Sequence, residues 1–246
     1  MGWKGTLRRF VERHAGLYVS DSLPRGIRWD YDVRMDCPDY LPSVIFDVGA
    51  NVGQSAQHFL KQFPKAQLHS FEPIPDTYKQ LERNVEGLSQ VKTYCIALGS
   101  ESGVADMGVS KISELASLVK DAEIHSDSQQ VTVSTLDKFC GENGISHIDY
   151  LKVDTEGFDL HVLMGGRRML SENCINFVET EVSISAENTY HVPLDDVRNY
   201  LEDVGFRLYA LYEQVRENDE KGPFLRRVNA AFINVSFAQE WRNIGL

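Results

Sequence analysis

From Val44 onward, short apolar runs alternate with segments in which apolar residues recur at helical spacing. That alternation predicts an α/β fold, a mostly parallel central sheet with helices on both faces. The predicted strands are 44–48, 67–71, 91–96, 148–153 and 175–182, all rich in Val, Ile, Phe or Tyr. Between the first two, Val52, Ala56, Phe59, Leu60 and Phe63 share one helical face, and Pro64 stops the run. A second helix is expected to open at Asp76 as N-cap, with Tyr78, Leu81 and Val85 inward. A third is expected to open at Ser134 or Thr135 and to stop at Gly144. A fourth follows Gly157 with Leu160, Leu163 and Met164 inward. The fifth, marked by Leu194, Val197, Leu201 and Val204, ends at Gly205. Residues 206–211 and 228–235 then read as two strands joined by a polar stretch, an antiparallel hairpin at the sheet edge.

The division expected is an N-terminal extension over residues 1–42, partly helical, followed by one domain over 43–246. In the extension Trp3, Leu7, Phe10 and Val11 share a face, with Lys4, Arg8, Arg9 and Arg13 elsewhere, as on a packed helix with a solvated basic side, a lid or a surface anchor. Residues 110–130, Ser-rich and acidic, read as a flexible loop. No apolar run reaches the length of a membrane span, so no transmembrane segment is expected. The start lacks the apolar stretch of a signal peptide, and Cys37, Cys95, Cys140 and Cys174 form no C-x-x-C pair. A cytoplasmic protein with reduced thiols is the simplest expectation. The formal net charge of −11, from 25 basic and 36 acidic residues, makes a nucleic acid a poor partner.

The strongest chemical signal is the run Val44-Ile-Phe-Asp-Val-Gly-Ala-Asn-Val-Gly-Gln54, a strand ending in Asp47 that turns through Gly49 and Gly53 into a helix. Ligands of open α/β sheets bind outside the carboxyl ends of the strands. The glycine spacing departs from the G-x-G-x-x-G that cradles a pyrophosphate. An acidic residue just before the turn opposes a pyrophosphate but suits a ligand with an ammonium group and a sulfonium, so S-adenosylmethionine is favoured over NAD. Glu72 closes the second strand about twenty residues on, where a carboxylate accepts the hydroxyls of an adenosine ribose. NAD enzymes use the same device, which keeps an NAD(P)-dependent oxidoreductase as the alternative. A non-catalytic cofactor-binding module is a further one.

A third signal is Ile148-Asp-Tyr-Leu-Lys-Val-Asp-Thr-Glu-Gly157, which brings Asp154 and Glu156 to the same sheet edge. A carboxylate there holds or deprotonates a hydroxyl; alternatively it caps the next helix and pairs with Lys152. Glu179 and Glu181, at the end of the fifth strand, line an acceptor pocket or, with Asp154, offer oxygens to Mg²⁺ or Ca²⁺. No metal is assigned. His191, beside Tyr190 in the following loop, is the candidate general base. His161 is expected to face solvent, and the other histidines have no zinc-like spacing.

Taken together, these residues resemble the FkbM family of S-adenosylmethionine-dependent methyltransferases. The resemblance runs from about Ser43 to Asn234 and rests on Asp47 to Gly53, Phe71-Glu72-Pro73, Ala97-Leu98, Val133 to Asp137, Leu151 to Gly157 and Glu181. It implies a class I methyltransferase fold, Rossmann-like with an antiparallel edge strand, and O-methylation of a small-molecule or glycan hydroxyl. On that basis Asp47, Gly49, Asn51, Gly53, Glu72, Ala97 and Leu98 hold S-adenosylmethionine, and Asp154, Glu156, Glu181 and His191 serve the acceptor. Ser117 and Leu118 resemble a family position in a loop over the cofactor. Asn229 departs from the pattern, standing where an acidic residue is expected.

Overall fold

The alternation of side chains along each strand sets the layering of the molecule, seen here in a computed structural model that describes residues 24–108, 128–217 and 222–244. Strands β1 (Val44–Val48), β2 (Gln67–Phe71), β3 (Val91–Tyr94), β7 (Ile148–Val153), β8 (Ile175–Ser183), β9 (Phe206–Arg216) and β10 (Leu225–Asn234) form one sheet in the order β3-β2-β1-β7-β8-β10-β9. The five strands from β3 to β8 are parallel to their neighbours, and β10 is antiparallel to both β8 and β9. A smaller sheet, β4 (Ala97–Leu98), β6 (Ser128–Ser134) and β5 (Gly103–Gly108), stands beside it.

Phe46, Leu151, Val153 and Val178 face one layer of helices: α4 (Leu136–Asn143), α5 (Asp159–Met164), α6 (Arg167–Ser171) and α7 (Leu194–Asp203). Ile45, Tyr150 and Phe177 face the other: α1 (Trp29–Asp36), α2 (Gln54–Gln62), α3 (Pro75–Asn84) and α8 (Val235–Ile244). Both faces are thus covered, as parallel strands require. Phe46, Tyr150 and Phe177 are fully buried, and truncating any of them to Ala costs about 3–5 kcal/mol. On the α1/α2 side the strands turn polar toward their carboxyl ends. Asp47, Lys152 and Glu179 stand in register across β1, β7 and β8. This buried charged row lies at the edge where ligands bind.

Strands β1, β2 and β7 have the predicted bounds, and the edge hairpin forms with both strands longer than expected. Thr135 caps α4, its side chain accepting from the Lys138 N–H, and Gly144 ends that helix as predicted. Three expectations are corrected, and a fourth at its end alone. Asp76 sits in the first turn of α3, behind Ile74 as N-cap and Pro75, because proline is preorganised for the first helical position. The third strand ends at Tyr94, and Ala97 and Leu98 leave it to pair with β6. In α5, Val162 and Leu163 are buried while Met164 is exposed and Leu160 only half-buried. The loop expected over 110–130 lies outside the described residues except at its end, where residues 128–130 begin β6. Residues 1–23, with the basic helix expected there, and Ser117 and Leu118 also lie outside.

The helix α1 packs Trp29 on Tyr150, ring centroids 3.9 Å apart, so residues before the first strand join the core. All four cysteines are free. Among the described residues no helix is long and apolar enough to cross a membrane.

Candidate active site

A cleft of about 650 Å³ opens at the carboxyl ends of β1, β2, β7 and β8. Its first end is made by the turn from β1 into α2. The N–H groups of Gly49 and Ala50 both donate to the Phe71 carbonyl (3.0 and 2.9 Å), tying this turn to β2. Gly49 has φ +86°, and a Cβ there would lie 1.9 Å from the carbonyl oxygen of Asp154, so only glycine lets the turn cross the end of β7. Asn51 holds a left-handed conformation, φ 47°, and its buried Oδ1 has no hydrogen-bond partner among the described residues. Glu72 is buried at the end of β2 and accepts from the Ile74 N–H at 2.9 Å. Burial pushes its pKa up to about 7, against the opposing pull of the Ile74 and Asn51 N–H groups. Ile96, Ala97, Leu98 and Met107 supply an apolar wall.

Lys152 links this end to the next. Its Nζ donates to Asp154 Oδ2 at 2.8 Å and stands 3.8 Å from Asp47 Oδ1. Burial works against the ammonium, yet Asp154 and Asp47 outweigh it and hold the Lys152 pKa above its usual value. For Asp154 burial pushes upward, but Lys152 holds the carboxyl below the usual carboxylate range. Asp47 is fully buried without a hydrogen bond to either oxygen among the described residues, and burial raises its pKa.

The second end gathers Glu156, Glu181, His191 and Arg227. Glu156 is left-handed at φ 54°, and Gly157 follows at φ +99°. A Cβ on Gly157 would lie 2.3 Å from the Tyr190 carbonyl oxygen, so glycine is what allows the β7–α5 turn to rest on the loop that carries His191. That loop is closed on itself: Ser183 N–H donates to the Val192 carbonyl (2.8 Å) and Ser183 Oγ to the Asn188 carbonyl (3.0 Å). His191 is thereby buried, 6% exposed, where loop histidines are usually solvated. Its Nε2 lies 2.6 Å from Glu181 Oε2 and 3.6 Å from Glu156 Oε2. Its Nδ1 meets the Asn188 side chain, 3.0 Å from Nδ2 and 3.2 Å from Oδ1. The other Glu181 oxygen is ion-paired with Arg227 of β10.

Of the residues singled out from sequence, Gly49, Asn51, Glu72, Ala97, Leu98, Asp154, Glu156, Glu181 and His191 all line this one cleft. Asp47 and Gly53 do not: Asp47 lies beneath the floor, and Gly53 packs against Leu81 behind the turn. Glu179 is turned away from this cleft into a neighbouring pocket, so Asp154, Glu179 and Glu181 do not converge on a common cation position. Asp154 does pair with Lys152 but caps no helix, the N-cap of α5 being Phe158. Asn229 is buried, its Nδ2 3.5 Å from Glu179 Oε1. Lys152, Arg226, Arg227, Tyr190 and Glu213 line the cleft without having been proposed for it. Lys152 was visible inside K-x-D-x-E-G, whereas Arg227 and Glu213 arrive only through the pairing of the edge hairpin.

The sequence profile of the methyltransferase FkbM domain matches residues 47–208. The chain belongs to the FkbM methyltransferase family. It is similar to the 2-O-methyltransferase NoeI of Sinorhizobium fredii, 29% identical over 191 residues that cover 72% of this chain and 77% of NoeI. It is also 29% identical to the hexuronic acid methyltransferase AglP of Haloferax volcanii, over 150 residues that cover 56% of this chain and 55% of AglP. Among solved structures, TrmK of M. capricolum in complex with S-adenosylhomocysteine aligns at 11% identity and a TM-score of 0.47 over 85% of this chain and 70% of that one.

As an FkbM methyltransferase the protein uses S-adenosylmethionine, and its sheet is the class I methyltransferase arrangement with its antiparallel strand near the edge. The cleft fits that cofactor. Glu72 would offer a carboxylate to ribose hydroxyls, Ile96 to Leu98 with Met107 would give an apolar surface to the base, and Asn51 Oδ1, without a partner among the described residues, would accept from a polar cofactor group. The oxidoreductase and non-catalytic alternatives find no support in the family match.

Proposed function

We propose that this FkbM methyltransferase is an O-methyltransferase whose acceptor is a hydroxyl of a glycan or of a sugar-like small molecule. The names of NoeI and AglP, a 2-O-methyltransferase and a hexuronic acid methyltransferase, support that acceptor class. The observation that carries the reading is the His191–Glu181 pair, buried and braced on both sides, across the cleft from the cofactor residues. S-adenosylmethionine supplies an electrophilic methyl group on a sulfonium. A hydroxyl oxygen is a weak nucleophile until its proton is taken, so the chain's task is alignment and proton removal.

His191 and Glu181 take up that proton as a unit. The Tyr190 N–H, donating to Asn188 Oδ1 at 3.2 Å, holds the Asn188 side chain beside His191 Nδ1, and Glu181 Oε2 lies 2.6 Å from Nε2, so the pair is fixed from both sides as it receives the hydroxyl proton. Arg227 is ion-paired with the second Glu181 oxygen and fixes its position. Asp154, held ionised by Lys152, and Glu156 accept hydrogen bonds from neighbouring acceptor hydroxyls. The net charge of −11 disfavours a polyanionic nucleic-acid acceptor.

The test is turnover on a panel of neutral and hexuronic-acid glycosides by wild type, His191→Asn and Glu181→Gln. The expected result is a fall in kcat of about 10²- to 10⁴-fold in both variants, the scale of a lost general base, with unchanged S-adenosylhomocysteine affinity. Turnover preserved in both variants removes the pair from the chemistry.

A further inference from the structure

Behind Lys152, on the α1/α2 side of the sheet, lies a second pocket of about 350 Å³. It joins the main cleft through Gln54, Ser55, Lys152 and Glu213, which line both. Glu213 reaches this junction because β9 carries an irregularity in its pairing with β10 between Arg227 and Asn229, and Glu213 there takes a left-handed conformation, φ 44°. Bulges of this kind re-aim side chains at sites. The rest of the pocket is framed by Arg28, Asp30, His58, Tyr150, Glu179 and Tyr212.

The chemistry of this wall is mixed in a particular way. Carboxylates of Asp30, Glu179 and Glu213 face cationic or neutral donors of Arg28, Lys152 and His58, so neither a polyanion nor a polycation is matched. Aromatic side chains, Trp29, Tyr150 and Tyr212, stand among them. One group is under-used within the fold: the buried indole Nε1 of Trp29 has no hydrogen-bond partner among the described residues. Glu179, only 7% exposed, is hydrogen-bonded by Tyr150 and has a long 3.5 Å contact from Asn229. Vicinal hydroxyls, each both donor and acceptor on an apolar ring, satisfy such a set.

We infer that this pocket is a second acceptor subsite, binding the sugar unit next to the one that is methylated, so that the enzyme acts on glycans of two or more units in preference to monosaccharides. The inference rests on the glycan reading above and deepens it. Part of its wall comes from outside the segment that matches the family profile, residues 47–208: Ile27, Arg28, Trp29 and Asp30 precede it, and Tyr212 and Glu213 follow it. The acceptor length is therefore chosen in part by chain outside the shared segment, while the cofactor end is built by the shared segment.

The experiment compares kcat/KM for mono-, di- and trisaccharide glycosides of the same neutral and hexuronic-acid series, in wild type, His58→Trp and Arg28→Ala, with S-adenosylhomocysteine affinity measured in each. His58 is exposed on α2 and lines only the second pocket, so the Trp variant narrows it without touching the cleft. The expected result is about a tenfold or greater advantage of the disaccharide over the monosaccharide, the equivalent of one good hydrogen bond, lost in both variants. Monosaccharide turnover and S-adenosylhomocysteine affinity stay as in wild type. Monosaccharide turnover with no gain from a second unit overturns the subsite and leaves the glycan reading standing. A gain that survives His58→Trp and Arg28→Ala overturns the subsite as well. Tight S-adenosylhomocysteine binding with no turnover of any saccharide overturns both.

Discussion

Replacing Lys152 by Met keeps the length of the side chain and removes the cation that the buried end of the sheet is built around. In the native protein the Lys152 side chain is 14% exposed, with its ammonium 2.8 Å from Asp154 and 3.8 Å from Asp47. The two carboxylates respond differently to its loss. Asp154 is 35% exposed as a side chain and gains water. Asp47 is 0% exposed and has no hydrogen bond to either oxygen among the described residues, so its charge is left uncompensated or must be quenched by a proton. Removing one partner of a buried ion pair costs about 3–5 kcal/mol. For a domain of this size that lowers Tm by roughly 6–20 °C. Burial already raises the Asp47 pKa, and without Lys152 it rises further. The destabilisation is therefore larger at pH 8, where Asp47 must ionise or hold a proton against the solvent, than at pH 5. A second change, Asp47→Asn, removes the stranded charge and recovers most of the loss. The assay is urea denaturation of wild type, Lys152→Met and the double variant at both pH values. A Lys152→Met protein within about 0.5 kcal/mol of wild type, the range of an ordinary surface change, refutes the reasoning, as does a double variant no more stable than the single one.

Three further outcomes follow from the same geometry. Glu72, whose pKa burial lifts from 4.5 to about 7, must be ionised to accept two ribose hydroxyls; S-adenosylhomocysteine affinity rises with pH through about 7 and then levels off, and calorimetry on Glu72→Gln gives a flatter profile. The same shift means the folded form holds this proton more tightly between pH 4.5 and 7, so Glu72 lowers stability as pH rises through that window and not below it. Glu156, Glu181 and His191 offer donor atoms within 4.8 Å of one another, but Arg227 already neutralises Glu181; turnover of protein treated with EDTA and desalted stays at the untreated level, and a loss restored by Mn²⁺ or Zn²⁺ contradicts that assignment.

Much of this site is written locally in the chain. The β1 turn, Glu72 and the K-x-D-x-E-G run each sit at the end of a strand whose period is plain, and strand ends of a parallel sheet converge, so nine proposed residues meet in one cleft. What the sequence hides depends on depth and on pairing. Asp47 looks like a ligand contact because it ends a strand beside a glycine turn, yet the turn folds over it, and nothing local distinguishes a carboxylate above a floor from one below it. Alternation puts Glu179 and Glu181 on the same face, but only the position of Lys152 and of β10 separates them into two pockets. Arg227 and Glu213 enter through the antiparallel pairing and its irregularity, a long-range feature. The small sheet was missed because β4 has two residues and pairs with a strand thirty-odd positions away in sequence.

The central claim is that one end of the cleft holds S-adenosylmethionine and the other serves the acceptor, and calorimetric titration with S-adenosylhomocysteine separates them. Wild type binds it and does not bind NADH; Glu72→Ala weakens binding by roughly 1–3 kcal/mol, the scale of a lost hydrogen bond to a charged group, and His191→Asn leaves it unchanged. Undiminished affinity in Glu72→Ala together with a loss in His191→Asn reverses the two ends and contradicts the account.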